Sequence, residues 1–272
     1  MPKVSIIMGI YNVGNVLSES IDSIINQSFN DWEFIICDDG SKDNTYEIAL
    51  SYKKQYPDKI VLLKNKKNMG LEYTLNKCLS LASGEYIARQ DGDDKSRKNR
   101  LKIEVDFLDR HKKYALVGSN MDFFDENGVW GHSRFAGEVK DKDFASYSPF
   151  MHPTVMIRKN AILEVGGYTE KTNLTRVEDY DLWLKIYLHG YKGYNIKTSL
   201  YEYRDDRNAF SKRTIKNRIS LFYIMEQGVN KLKLPFYYKI KPFKQLVLII
   251  LPSRLYGFIH RLKYKSNKRY EK

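Results

Sequence analysis

Over the first 120 positions, short apolar runs alternate with longer stretches in which apolar side chains recur every three or four residues. VSIIMGI (4–10), FIIC (34–37), IVLL (60–63), YIA (86–88) and ALVGS (115–119) are apolar nearly throughout, which predicts buried strands. Leu17, Ile21, Ile24 and Ile25 share one helix face, as do Leu71, Leu75 and Leu79. Strand and helix in alternation predict an α/β fold with a Rossmann-like, mostly parallel central sheet covered on both faces. Ligands of such sheets sit beyond the carboxyl ends of the strands, and that is where the polar groups fall. Tyr11 and Asn12 follow the first strand and Asp38, Asp39, Gly40 and Ser41 the second. Asn68 and Gly70 follow the third, and Asp91, Asp93 and Asp94 the fourth.

Beyond residue 120 the regularity weakens. MDFFDENGVWG predicts a strand and a turn at Asn127-Gly128. PTVMIR (153–158) predicts another strand, followed by helix-like NAILEVGGY. VEDYDLWLKIYLHG (177–190) predicts an amphipathic helix, with Tyr180, Leu184, Tyr187 and Leu188 on one face and Gly190 at its end.

Three carboxylates in four positions repel one another unless a cation sits among them. Oxygen ligands on a short turn suit Mg²⁺ or Mn²⁺, completed by phosphate and water. The stretch lacks the spacing of a calcium loop, and it reads equally as an acidic turn capping a helix that begins near Ser96. Asp38 and Asp39 read as a helix entry with Ser41 or Asp43 as N-cap, or as acceptors for a nucleobase imide N–H. Glu178 and Asp179 either complement a helix dipole or supply a general base. His152 reads as a packed or hydrogen-bonded histidine, and the five histidines show no metal-ligand spacing. Neither a dinucleotide-binding G-x-G-x-x-G turn nor a P-loop is present.

The chain has 272 residues, 42% of them hydrophobic, which suits one large domain with or without an appendage. It opens directly into a strand pattern, so it is expected to stay in the cytoplasm. Cys37 and Cys78 lack C-x-x-C spacing and are expected to be reduced core thiols. Residues 211–272 hold 16 Lys or Arg against Glu226 and Glu271, whereas residues 1–210 hold 30 bases and 31 acids. The net charge of +13 thus belongs to the C-terminal region, a basic adaptor on a near-neutral body. Its longest apolar run, Leu246 to Leu251, is far short of the roughly 18–20 residues that span a bilayer. Three readings of this region stay open: docking on an anionic membrane surface, a solvated or oligomer-forming face, and nucleic-acid binding, the last being the least favoured.

VSIIMGIYN, INQSFNDWEFIICDDGS, KNMGLEYTLNKCL, ARQDGDD, HPTVMIRK, the GGY loop (Gly166 to Tyr168) and EDYDLW together resemble the nucleotide-sugar-dependent glycosyltransferases of family 2, over roughly residues 2–210. In particular the chain is similar to bacterial enzymes of capsular and extracellular polysaccharide synthesis. The resemblance implies a GT-A catalytic domain at 1–210, with a nucleotide-binding half at about 1–95 and an acceptor half at about 96–210, then a basic amphipathic extension at 211–272. It implies that Tyr11 and Asp39 hold the base, with Asn68 and Arg89 also on the donor side. Asp91 would lie against ribose and diphosphate, and Asp93 would bind Mn²⁺ or Mg²⁺. Asp179 would be the base, with Glu178, Trp183, Gly167 and Tyr168 shaping the acceptor side. The reaction so implied is inverting transfer from a nucleotide sugar, a UDP-sugar foremost, to a lipid-linked or oligosaccharide acceptor at the inner face of the membrane. Many relatives carry Thr or Pro at Gly9 and Arg at Leu75, so contacts to base and phosphate are expected to be partly redistributed, to Arg89 or Arg97. A sugar nucleotidylyltransferase would show a Gly-rich, cation-bearing loop after the first strand, which GIYNVGN lacks. A catalytically idle nucleotide-sugar-binding subunit of a membrane-associated synthase is the competing reading.

Overall fold

The computed structural model describes residues 1–170, 176–205, 215–250 and Tyr264. Strands β1 (Val4–Ile10), β2 (Trp32–Asp38), β3 (Ile60–Lys64) and β4 (Tyr86–Arg89) lie parallel in the order β3-β2-β1-β4. Their side chains alternate between faces, and both faces are buried, so the runs are apolar throughout rather than every second residue. Ile6, Met8 and Ile10 join one core with Leu17, Ile21 and Ile24 of α1 (Leu17–Ile25), Ala49 of α2 (Thr45–Gln55) and Leu101 and Leu108 of α4 (Arg100–Arg110). Ile7, Ile35 and Cys37 join the other, with Leu75, Cys78 and Leu79 of α3 (Leu71–Leu79). Cys37 and Cys78 are buried and unlinked.

Register decides which loops meet. Ile10 is level with Asp38, and Ile7 with Arg89, so the segments after β1, β2 and β4 leave the sheet side by side. The backbone N–H of Asp39 donates to Ile10 and that of Gln90 to Ile7, at 2.8 and 3.1 Å, carrying the ladder into the loops.

The sheet then turns antiparallel. β9 (Met156–Arg158) sits between β4 and β6 (Tyr114–Asp125), antiparallel to both. β10 (Lys192–Arg204) runs parallel to β6 and carries β5 (Lys95–Ser96) at its edge. β7 (Gly128–His132) pairs back on β6, with Asp125 opposite Gly128, so the turn falls at Glu126-Asn127, one residue before the predicted pair. β8 (Gly137–Glu138) flanks β10.

Three local expectations are corrected. Only Met156–Arg158 of the predicted 153–158 strand is a strand, because His152–Thr154 forms a 3₁₀ turn around Pro153, whose missing N–H suits a turn better than a ladder. No helix starts at Ser96, which pairs instead with β10, and α4 begins at Arg100. α2 begins at Thr45 after Asn44, so neither Ser41 nor Asp43 occupies the N-cap.

On the second core, that of Ile7, Ile35 and Cys37, lie α5 (Lys159–Glu164), α6 (Glu178–Leu188) and α7 (Ile215–Lys231), the last contributing Ile224 and Met225. Packing therefore continues across the boundary drawn at residue 210. A 3₁₀ segment (Phe236–Phe243) and α8 (Lys244–Ile250) follow. Of the basic region, 211–214, 251–263 and 265–272 lie outside the described residues. Among those described, no helix is long and apolar enough to cross a membrane.

Ile224→Ala should cost about 2–4 kcal/mol of stability in urea unfolding, as a buried aliphatic truncation does. A loss below about 1 kcal/mol would place α7 outside the cooperative core.

Candidate functional site

At the ends of β1 and β2 the two loops lock together. Asn12 holds a left-handed backbone (φ 51), which asparagine tolerates. Its N–H donates to Ser41 Oγ at 3.0 Å and its Oδ1 accepts from the Lys42 N–H at 2.9 Å. Tyr11, beside it, is exposed. The buried Asp38 is consumed by its own turn, both oxygens accepting from the Ser41 N–H at 3.2 and 3.3 Å. Asp39, also buried, faces the next loop. It accepts from Asn65 Nδ2 at 2.8 Å and from the N–H groups of Met69 and Gly70 at 2.8 and 3.0 Å. Gly40 (φ 75) permits that approach, since a Cβ there would lie 2.7 Å from the carbonyl carbon of Lys67. Asn68 sits exposed on this loop, while Asn65 makes the contact to Asp39.

The aspartate turn after β4 is built on Gln90. Its buried Nε2 donates to Ser20 Oγ and to the carbonyls of Asp91 and Asp94, at 3.0, 3.1 and 3.0 Å. From across the sheet, Arg204 donates its backbone N–H to Asp94 Oδ1 at 2.8 Å and its Nε to the Asp93 carbonyl at 3.1 Å. The three acids then part company. Asp91 is ion-paired with Arg89. Asp94 is buried, and burial followed by the charges of Asp93 and Asp91 pushes its carboxyl well above the usual range. Asp93 is exposed. Asp94 is therefore a buried anchor for β10, not a cap for α4.

This donor set fits a hard divalent cation shared with a ligand. Asp93 is an exposed carboxylate, and Asp94 Oδ2 is a buried oxygen with no hydrogen-bond partner. Among the described residues no three His, Cys, Asp or Glu side chains converge as a cage. That suits a cation held by one or two carboxylates and completed by phosphate and water.

Arg89 links this turn to the second half of the chain. Its guanidinium is buried between Asp91 and His152, lying 2.8 Å from His152 Nε2, which is 2.9 Å from the Tyr168 hydroxyl. Burial and then the Arg89 charge push His152 well below its ordinary value, so the ring is neutral. Tyr168 belongs to a loop clamped from two helices. Asn76 of α3 accepts from the Tyr168 N–H and donates to its carbonyl, both at 2.9 Å, and Lys185 of α6 donates to the Gly167 carbonyl at 2.6 Å. Gly167 (φ 66) lies so close that a Cβ would fall 2.7 Å from Asn76 Oδ1.

Glu178 and Asp179 open α6 beside this loop. Asp179 Oδ2 accepts from Ser148 Oγ at 3.1 Å. Burial raises the Asp179 carboxyl, partly offset by hydrogen bonds from the Tyr180 N–H and Ser148. Burial and then the Asp179 charge push Glu178 up to about 7. The Arg89 charge acts on Tyr168, Glu178 and Asp179 alike, so these groups and Asp91 share one electrostatic neighbourhood. Tyr11 and Asn68 lie on the exposed loops. Trp183, expected to help shape the acceptor side, has no exposed surface and packs edge-on against His152 and Phe150, behind that wall. Arg97 pairs with Asp122 and Glu202, so of Arg89 and Arg97 it is Arg89 that pairs with the aspartate turn.

The family profile described as Glycosyl transferase family 2 matches residues 5–178. The chain is 42% identical over 267 residues to EpsE of Bacillus subtilis, provisionally named a glycosyltransferase, covering 98% of this chain and 96% of that one. It is 29% identical over 276 residues to an Escherichia coli protein named UDP-Gal:alpha-D-GlcNAc-diphosphoundecaprenol beta-1,3-galactosyltransferase, covering 96% of each. Among solved structures it resembles S. aureus TarS 1–349 in complex with UDP-GlcNAc (TM-score 0.68, 20% identity, 96% of this chain and 79% of that one); it spans 43% of the longer TarS chain. It also resembles mannosyltransferase PcManGT of Pyrobaculum calidifontis in complex with GDP-Man and Mn²⁺ (TM-score 0.65, 18% identity, 96% and 80%). The chain belongs to glycosyltransferase family 2 and has the GT-A fold.

Asn76→Ala, which strands the Tyr168 N–H, should lower stability by about 1–3 kcal/mol in denaturant unfolding. An unchanged midpoint would show that Lys185 alone holds the loop.

Proposed function

We propose that this family 2 glycosyltransferase is an inverting enzyme. It moves a sugar from a nucleoside-diphosphate donor, a UDP-sugar foremost, to a hydroxyl of a lipid-linked saccharide in capsule or exopolysaccharide synthesis. The observation that carries the reading is the crest itself. Asp39, the Arg89–Asp91 pair and the exposed Asp93 stand at adjacent strand ends, and the Arg89 charge acts on Asp179 at the start of α6. Support for donor and acceptor comes from similar proteins: one solved with UDP-GlcNAc, and one whose name gives UDP-galactose as donor and a diphosphoundecaprenol-linked sugar as acceptor.

In this reading Tyr11, Asp39 and the Asn68 loop receive the base, while Asp91, held by Arg89, faces ribose and diphosphate. A Mn²⁺ or Mg²⁺ ion on Asp93, when bound, supplies positive charge beside the leaving group. Asp179 takes the proton from the acceptor hydroxyl. The hydroxyl oxygen forms its bond to the anomeric carbon as the bond from that carbon to phosphate oxygen breaks, and the electron pair leaves with the nucleoside diphosphate. Attack from the opposite face inverts the centre, and a single carboxylate suffices. Glu178, Gly167 and Tyr168 border the acceptor, with Trp183 behind them.

A base must be ionised, so activity falls as pH drops through the pKa of the group. Because Asp179 is raised and Glu178 lies near 7, the acid limb should fall above the ordinary carboxylate range and belong to the pair. Glu178→Gln removes one of two neighbouring charges and should move the limb to lower pH. Asp179→Asn should cost about 10²–10⁴ in turnover. The assay is transfer from a panel of nucleotide sugars with Mn²⁺; an Asp179→Asn enzyme of undiminished rate would remove Asp179 from the chemistry.

A further inference from the structure

The C-terminal segment after α7 is amphipathic the wrong way round for a helix that only packs on its own protein. Phe236, Ile240, Phe243 and Val247 recur at helical spacing, yet they point outward, 79, 67, 52 and 62% exposed, with Tyr237 (63%) beside them. The positions turned inward are Pro242 and Gln245, and Gln245 is satisfied there by Arg218 Nη1 at 2.9 Å and Met225 Sδ at 3.7 Å. Soluble monomers rarely expose a contiguous patch of this kind without a partner.

Charge selects the partner. Residues 215–250 carry seven Lys or Arg and one acid, Glu226. Lys231, Lys233, Lys239, Lys241 and Lys244 are all exposed, interleaved with the aromatic and aliphatic stripe. Outward aromatic and aliphatic side chains among lysines match the boundary of an anionic bilayer, where rings enter the headgroup region and ammonium groups meet lipid phosphates. A second copy of this chain would bring the same positive charge against itself.

The patch also has an address. Lys241 Nζ donates to Ser146 Oγ at 3.2 Å, and two residues on, Ser148 donates to Asp179 at 3.1 Å. A short path thus joins the exposed stripe to the side of the site assigned to the acceptor.

We propose that residues 236–247 dock flat on an anionic membrane surface and present the Asp179 side of the site to it. This deepens the lipid-linked-acceptor reading and rests on it for its purpose, though the surface can be tested without turnover. The full chain is floated with vesicles of phosphatidylcholine containing phosphatidylglycerol and with vesicles of phosphatidylcholine alone, alongside size-exclusion chromatography and circular dichroism. The wild type should float with the anionic vesicles, weakly with the neutral ones, and less as salt rises. Phe236→Ser/Ile240→Ser/Val247→Ser and Lys239→Glu/Lys244→Glu should each keep the far-ultraviolet spectrum and lower partitioning roughly tenfold or more. Undiminished flotation of both variants would overturn the proposal. So would a wild type that ignores anionic lipid, or one that runs as a dimer which the serine substitutions dissolve without any vesicle binding. Loss of flotation with transfer to a soluble acceptor intact would separate this surface from the chemistry.

Discussion

Three like charges within four positions set the central constraint on this molecule. In a turn such as Asp91-Gly92-Asp93-Asp94, repulsion would open the chain unless each carboxylate had its own environment. The fold provides three. Asp91 is paired with a buried arginine, Asp94 is buried with its carboxyl pushed above the usual range, and Asp93 is exposed. The exposed Asp93 thus stands beside neighbours whose charges the protein itself has met.

Holding that arrangement draws on distant parts of the chain. Gln90 and Ser20 satisfy the carbonyls of the turn from beneath, and Arg204 reaches it from the end of β10 while also gripping Glu19 of α1 at 3.0 Å. Arg89 carries the same ion pair across to His152 and Tyr168. The antiparallel strand β9 makes this possible, because it returns residues after His152 to the edge of β4. The aspartate turn and the start of α6 are thereby electrostatically linked, the Arg89 charge acting on the raised carboxylates Glu178 and Asp179.

Much of this was legible in the sequence, and the parts that were not share a cause. Parallel strands buried on both faces leave unbroken apolar runs, so β1 to β4 and the crest of polar residues after them could be read directly. The acidic turn and the E-D pair were visible as local charge. Asn65, Asn76, Gln90, Lys185 and Arg204 were not, because each acts through a partner on another element: Arg204 meets Asp94 across 110 positions of sequence and Asn76 meets Tyr168 across 92. The full burial of Trp183 was not legible either, since its place in an amphipathic helix did not reveal which neighbour would cover it. The C-terminal region read as one basic stretch, whereas its first helix divides into a face that completes the core and a face that does not.

The claim that Asp93 offers its carboxylate to a cation shared with a diphosphate is tested most directly by calorimetry. UDP and GDP are titrated into the wild type and Asp93→Asn, each with Mn²⁺ and with chelator. The account predicts binding to the wild type that Mn²⁺ tightens roughly tenfold or more, and binding to Asp93→Asn that Mn²⁺ leaves unchanged. Equal metal dependence in the two proteins would contradict it.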